Sequence, residues 1–299
     1  MTTEKELNSN KTSNSKIQKI SRLNNIEWVI SPIILLVLVI LFYMTNTRTR
    51  NGHSFGDPLT LKQKAQYNSI YVALELFNSD FKTFPSSDGL DPTGKPYCGA
   101  MKLAEAFMGQ DLMGFHPDSV FRSDGRDSNG ILLYDTNSPN FDLRIRKGPY
   151  LPIENANAYK LKDIFENTGP FDGNEYLICD IFVKKRHTGK KTGMPVLYYK
   201  ADTSKTSHDV NNPDNPENIY NYKDNHDLLS LGIQGQPSMK HPLCEDPTLF
   251  YIMTNNNNTM QSKPYRANTY ILLSAGKDGL YGTEDDIANF EFRLKTPKK

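Results

Sequence analysis

The stretch that decides the fold runs from Tyr270 to Phe292 and reads YILLSAGKDGLYGTEDDIANFEF. An apolar run, Tyr270 to Leu273, enters a loop that holds three glycines and several acidic residues, and an alternating run, 289–292, leaves it. Apolar and alternating runs of this length predict β-strands, and the glycines permit the positive φ that a tight loop requires. The pattern therefore predicts a strand, an acidic loop and a second strand.

The acidic loop brings like charges together. The carboxylates of Asp278, Asp285 and Asp286 would repel one another if the loop closed on itself, so a positive charge is expected within it. Calcium suits such a loop because it accepts about six to eight oxygen ligands in a flexible geometry. The alternative is an Asp/Gly-rich turn whose carboxylates face water, and composition alone does not separate the two.

Two stretches resemble one known family. Residues 274–290, SAGKDGLYGTEDDIANF, resemble the calcium-binding C-terminal loop of the major pseudopilins of type II secretion systems. Residues 91–97, DPTGKPY, resemble that family's Asp-Pro-aromatic-Gly-x-Pro-Tyr turn. The resemblance implies a Ca²⁺ ion as cofactor. Its implied ligands are the carboxylates of Asp278, Asp285 and Asp286 and the carbonyls of Leu280 and Thr283.

Composition narrows the function classes. The chain has 299 residues and a formal net charge of +1, from 35 basic and 34 acidic residues, so no global field favours nucleic acid as a partner. Cys98, Cys179 and Cys244 are widely spaced and form no CxxC pair, which excludes a zinc ribbon and a dense disulfide framework. One disulfide with a free thiol and three free cysteines both remain consistent with the sequence.

The N-terminal part predicts a membrane anchor. Residues 1–25 are polar and are expected to form a disordered tail, and residues 26–45 are expected to form a transmembrane helix. The run from Trp28 to Met44 carries no charge, and at ~1.5 Å rise per residue its helix would match the hydrocarbon thickness of a bilayer. Arg22 stands where pilin-like leaders end in glycine, which argues against cleavage before Leu23. We expect a cell-membrane protein, and the resemblance implies that its N-terminus is cytoplasmic.

The remaining chain predicts an extracytoplasmic domain at 58–299, after a linker at 46–57. Pro58 suits the first position of a helix, and a stripe of apolar residues follows at helical spacing, namely Tyr67, Ile70, Tyr71, Leu74, Phe77 and Phe81. Runs at 176–183 and 196–199 predict a hairpin with a basic tip at 184–191, which is either a solvated loop or a dock for an acidic partner or lipid headgroups. With the resemblance, the expected fold class is α+β: an N-terminal transmembrane helix, then a pilin-like helix on an antiparallel β-sheet, with large loop insertions.

Three functions are weighed. The first is a calcium-stabilised structural subunit or accessory of a secretion or pilus-like apparatus, partnered by other subunits or by copies of itself and not by a small-molecule substrate. The second is a membrane-tethered ligand-binding or adaptor domain. The third is an envelope hydrolase that uses His208 or His226 of the polar stretch 201–227. The chain contains no HExxH, GxSxG or Gly-rich phosphate loop, which favours a protein that is not an enzyme.

Overall fold

The structure is a computed structural model that describes residues 57–137, 142–233, 236, 239–256 and 263–291. From Pro58 onward the chain forms one compact unit. Its helices are α1 (Pro58–Phe81), α2 (Gly99–Met108), α3 (Ile153–Ala156), α4 (Leu161–Ile164), α5 (His226–Ser230), α6 (Pro242–Glu245) and α7 (Thr248–Thr254). Short 3-10 turns lie at Pro117–Ser119 and Tyr222–Asp224.

The strands form small antiparallel sheets. They are β1 (Ala158–Lys160), β2 (Tyr176–Ile178), β3 (Lys184–Lys185), β4 (Lys191–Thr192), β5 (Leu197–Lys200), β6 (Tyr270–Ser274) and β7 (Ile287–Ala288). Within the described ranges β1 pairs with β2, β3 pairs with β4, and β6 lies between β5 and β7. The three-stranded sheet is the one that positions the acidic loop, because the loop connects β6 to β7.

Helix α1 forms where the apolar stripe predicts it. Tyr67, Ile70, Leu74 and Phe77 are buried along one face of this 24-residue helix, so burial of the stripe holds the helix on the domain. Tyr71 departs from the prediction, because 49% of its surface is exposed. Tyr71 follows the buried Ile70 directly in the helix, so its side chain lies at the border of the apolar face.

The three-stranded sheet is buried on both faces. Leu197 and Ile271 pack in one cluster with residues of α5, α6 and α7, whereas Tyr198 and Leu272 pack in a second cluster with the stripe of α1. Side chains alternate between the faces of a strand, so covering both faces requires a continuous apolar run. This explains why the run at 270–273 carries no polar residue, and it places the sheet between helices on either side.

The predicted sheet differs from the observed one. The exit strand of the C-terminal hairpin is β7 at Ile287–Ala288, which begins two residues before the predicted start at 289, because Leu273 pairs with Ala288 and Ser274 with Ile287. The predicted hairpin between 176–183 and 196–199 is present but irregular: β3 pairs with β4 near its tip, and the amides of Asp180 and Val196 donate across it to the carbonyl oxygens of Met194 and Ile178. Its outer strands have other main partners, because β2 pairs with β1 and β5 pairs with β6. The predicted pilin-like fold, one helix on one antiparallel sheet, is therefore wrong. A mixed α/β arrangement with several small sheets takes its place.

The membrane prediction also needs correction. No helix within the described ranges is long and apolar enough to cross a membrane. The predicted transmembrane helix at 26–45, the tail at 1–25 and the linker at 46–56 lie outside the described residues. The prediction of a single-pass protein of the cell membrane, with its domain outside the cytoplasm, is thus overturned for the part of the chain that the structure covers.

The three cysteines are unpaired thiols, and the basic hairpin is bonded to the acidic loop. Cys98, Cys179 and Cys244 are free thiols, the first two of them buried. Burial raises the pKa of Cys98 to about 12, so this thiol stays protonated at neutral pH. At the base of the basic hairpin, the Lys184 Nζ donates to the backbone oxygen of Asp278 at 2.9 Å, which joins the hairpin to the acidic loop.

Candidate functional site

The acidic loop is closed by its glycines. Gly276, Gly279 and Gly282 all have positive φ, as the sequence predicts. At Gly276, where φ is +63°, a Cβ atom would lie 2.2 Å from the backbone oxygen of Asp285. Only glycine therefore allows the two ends of the loop to approach this closely.

The predicted side-chain ligands accept hydrogen bonds from the loop itself. Asp278 Oδ1 accepts from the amide of Leu280 at 2.7 Å, and Asp285 Oδ2 accepts from the amide of Asp278 at 2.9 Å. The Thr283 hydroxyl donates to Asp285 Oδ1 at 2.6 Å and lies 3.3 Å from the carbonyl oxygen of Leu280. These two carboxylates thus serve as acceptors that fold the loop.

Asp286 is the buried member of the loop. Its Oδ2 accepts from the amide of Gly282 at 2.7 Å, and only 7% of the residue is exposed. Burial raises the pKa of Asp286 to about 8, so this carboxyl is largely neutral at pH 7. Burial also raises the pKa of Asp278. At Asp285 burial acts in the same direction, but hydrogen bonds from Thr283 and the Asp278 amide outweigh it and lower the pKa.

The loop is fixed to the core through one buried carboxylate. Ser274 Oγ accepts from the Gly276 amide at 3.2 Å and donates to Asp180 Oδ2 at 2.8 Å. Asp180 Oδ1 in turn accepts from the amides of Met194 and Phe182 at 3.0 and 3.2 Å. The loop is therefore connected to the buried interior through Ser274 and Asp180.

These contacts decide how well the loop fits a metal. Among the described residues, no group of three or more His, Cys, Asp or Glu side chains is placed so that it could hold a metal ion. The prediction of a metal-binding group of side chains is therefore corrected for the described residues, in which the loop carboxylates accept from the loop's own donors. Ca²⁺ as a cofactor is not decided by these contacts and stays a prediction, which calcium titration tests.

A cleft of about 500 Å³ lies elsewhere, where the stretch 201–227 meets the segment before α2. The polar stretch 201–227 supplies one wall of this cleft. Most of the residues that line the cleft are polar. They are residues 86–88, 200–203, 205, 213–216, 218–221, 223, 224 and 251.

Asp224 is the buried carboxyl of this cleft. Only 3% of the residue is exposed, and its Oδ2 accepts a short hydrogen bond from Ser87 Oγ, which itself accepts from the Lys200 amide at 2.9 Å. Its Oδ1 is buried and has no hydrogen-bond partner among the described residues. Burial raises the pKa of Asp224 well above its usual range.

The charges around the cleft are balanced. Lys200 donates to Thr83 Oγ1 at 3.0 Å, and Lys223 forms an ion pair of 2.7 Å with Asp214. The lining also contains Lys205, Asp88 and Asp202, so three lysines face three exposed carboxylates, and Asp224 is buried behind them. The exposed charges of the cleft are therefore balanced.

The histidines named for a hydrolase lie apart from this cleft. Neither His208 nor His226 is among the described residues that line it. His208 is buried, its Nε2 lies 2.9 Å from the backbone oxygen of Tyr251, and burial lowers its pKa. The hydrolase interpretation requires a pocket lined by one of these residues, and this cleft does not supply it.

Comparison of the chain with known protein families, with curated proteins and with solved structures finds no match. The resemblance to major pseudopilins is therefore untested, and the assignment to protein secretion has no support. Sequence reasoning missed Ser87 and Asp224, the pair beneath the cleft. No local signal could have found them, because the two residues are 137 positions apart in the chain.

Proposed function

We propose that this chain is a non-catalytic ligand-binding domain, whose cleft at 200–224 holds a small, uncharged, hydroxyl-rich molecule of the size of a mono- or disaccharide. The observation that carries the proposal is the carboxyl of Asp224, a buried group whose Oδ1 lacks a partner in the wall of a polar cleft. Buried polar atoms are almost always hydrogen-bonded, so an orphaned oxygen at a cleft favours a missing partner.

The charge balance supports an uncharged ligand. A charged ligand would bring one unmatched charge into a cleft where three lysines already face three carboxylates. A molecule that offers hydroxyl groups can donate to Asp, Asn and carbonyl oxygens and accept from lysine and amide nitrogens, without a change in net charge.

The dimensions support a small molecule. A volume of about 500 Å³ falls within the usual range of ligand sites, roughly 300–1,000 Å³. Several side chains of the cleft wall are also held in place before a ligand binds. Lys223 is held by Asp214, and Ser87 is held between the Lys200 amide and Asp224, so part of the hydrogen-bonding surface is ordered before a ligand enters.

The test is calorimetric and NMR titration of the full chain with glucose, N-acetylglucosamine, maltose and cellobiose. We expect at least one of them to bind at a single site with millimolar affinity or better. The double variant Ser87→Ala, Asp224→Leu should weaken binding at least tenfold. It removes both members of the buried pair, so that only the Lys200 amide loses an acceptor, which limits the loss of stability.

Two further variants keep the test decisive. Thr203→Val removes an exposed hydroxyl from the cleft at nearly constant volume, so it should weaken binding even if the double variant does not fold. Asp227→Leu lies outside the cleft lining and should leave binding unchanged. The proposal is contradicted if none of the four sugars binds. It is also contradicted if both the Thr203 variant and the double variant bind as tightly as the unmodified chain.

A further inference from the structure

A second cavity, of about 330 Å³, lies between α1 and the end of the C-terminal hairpin. Its walls are largely aromatic and aliphatic, and they are formed by Tyr67, Tyr71, Tyr270, Leu272, Ala288 and Phe290. This composition differs from the polar cleft, since ligand sites with apolar walls and a few polar groups take molecules with an apolar body. The two sites share none of the described lining residues.

The polar group within these walls is the hydroxyl of Tyr270. The residue is only 1% exposed, and its hydroxyl is buried without a hydrogen-bond partner among the described residues. The other buried tyrosine of the cavity differs, because the Tyr67 hydroxyl donates to the backbone oxygen of Ile287 at 2.7 Å. Burial raises the pKa of Tyr270, so its hydroxyl keeps the proton and is a donor that lacks an acceptor.

Two positively charged side chains line the same cavity. The exposed residues Lys64 and Arg266 line the cavity, and Arg266 Nε donates to the backbone oxygen of Asn289 at 3.0 Å, which holds the guanidinium there. Arg266 acts on the Tyr270 phenol by lowering its pKa, and this effect exceeds the opposite effect of Glu75. Glu291 is the acidic residue of the lining, so the described lining carries a net positive charge.

We propose that this cavity binds a small monocarboxylate with an apolar body, such as a medium-chain fatty acid. The carboxylate accepts from the Tyr270 hydroxyl and pairs with Arg266, and Lys64 adds attraction at longer range. The apolar body lies against Tyr71, Leu272 and Phe290, where it removes exposed apolar surface from water. Arg266 is suited to this role because its planar guanidinium matches a carboxylate.

The test uses titration of the full chain with sodium octanoate, followed by calorimetry and by NMR. We expect binding at one site with submillimolar affinity. Octylammonium and 1-octanol, which have the same chain without the carboxylate, should bind at least tenfold more weakly. Equal binding of the three compounds overturns the proposal, because it would mean that the carboxylate is not recognised. Absence of octanoate binding also overturns it.

Variants locate the site. Arg266→Gln should weaken octanoate binding about tenfold, and Tyr270→Phe should weaken it several-fold. Because the Tyr270 hydroxyl has no partner, its removal should not lower the thermal midpoint of the free protein. Lys62→Ala changes a lysine of α1 that does not line this cavity, so it should bind octanoate as the unmodified chain does. Unchanged affinity in both Arg266→Gln and Tyr270→Phe places octanoate elsewhere and overturns the proposal.

Discussion

The acidic loop between β6 and β7 and the polar cleft at Asp224 both concentrate carboxyl groups, but they satisfy them differently. In the loop, the carboxylates of Asp278, Asp285 and Asp286 accept from the amides and the hydroxyl of the loop itself. In the cleft, Asp224 has one oxygen bonded to Ser87 and one oxygen without a partner among the described residues. The loop is therefore closed on itself, whereas the cleft has unused capacity to bind.

The difference teaches that acidic residues close together in a sequence can be satisfied by donors of the chain itself. Repulsion between carboxylates is relieved by an ion, by donors of the backbone or by protonation, and the sequence does not show which. In this loop the glycines bring backbone amides within 3 Å of the carboxylates, and Asp286 is largely neutral. In the cleft the decisive feature is burial of a single carboxyl, which only the folded chain reveals.

The largest expected effect comes from a substitution that prevents the acidic loop from closing. Gly276→Ala should lower the free energy of unfolding by about 4 kcal/mol, because the new Cβ meets the Asp285 oxygen at 2.2 Å and the residue must also keep a positive φ. Urea denaturation of the full chain measures this loss. Gly279→Ala is the matched control. Its φ is +80°, but the nearest atom to the new Cβ is 3.7 Å away, so we expect a loss of only about 1 kcal/mol. Equal losses in the two variants would contradict close approach as the reason for Gly276.

The second effect concerns the carboxylate that holds the loop. Burial raises the pKa of Asp180 to about 6, above its value in the unfolded chain, so its protonated form is favoured by folding. Stability from this group is complete below about pH 4 and is lost as pH rises through about 6, by about 2–3 kcal/mol in total. Asp180→Asn should remove this part of the pH dependence and be more stable than the unmodified chain at pH 8. Denaturation curves between pH 4 and pH 8 measure the change in pH dependence and the difference in stability at pH 8.

Asp180→Asn keeps the geometry needed for that comparison. The amide oxygen can accept from Met194 and Phe182, and the amide nitrogen can donate to Ser274. Parallel pH profiles in the variant and the unmodified chain would show that Asp180 titrates normally. A carboxyl of the cleft offers the opposite control, because Asp202→Asn changes a group whose pKa is lowered by its bond to Ser204, and that variant should lose stability at neutral pH relative to acid.

The third effect tests the cleft. Ser87→Ala should lower the free energy of unfolding by about 2 kcal/mol, since it leaves Asp224 Oδ2 buried without its donor. Ser86→Ala is the matched control, because the Ser86 hydroxyl bonds Asp88 at the exposed surface, and we expect no measurable change. Thermal and urea denaturation compare the two variants. A loss in Ser86→Ala as large as that in Ser87→Ala would mean that burial of the pair is not what stabilises this wall.

Local patterns predicted single elements of the fold, but neither the arrangement of its sheets nor the cleft. Helix α1, strand β6 and the glycines of the loop follow from periodicity and from φ, which are properties of neighbouring residues. The pairing of strands does not, because β5 and β6 lie far apart in the chain and compete with nearer partners. The cleft could not be predicted, because the stretch 201–227 has no apolar period, and the burial of Asp224 depends on Ser87 from a distant segment.

The smallest expected effect is that of added calcium on the stability of the acidic loop. The loop carboxylates already accept from loop donors, and Lys184 already donates to the Asp278 carbonyl, so added Ca²⁺ should raise the thermal midpoint by less than about 1 °C. The sequence interpretation requires a larger rise that the double variant Asp285→Ala, Asp286→Ala abolishes. Glu284→Ala, an acidic residue of the same loop outside the predicted ligand set, is the control and should behave as the unmodified chain in either case. A rise of several degrees that survives in Glu284→Ala and disappears in the double variant would show that an ion can displace the internal hydrogen bonds. The acidic loop would then be a binding site as well.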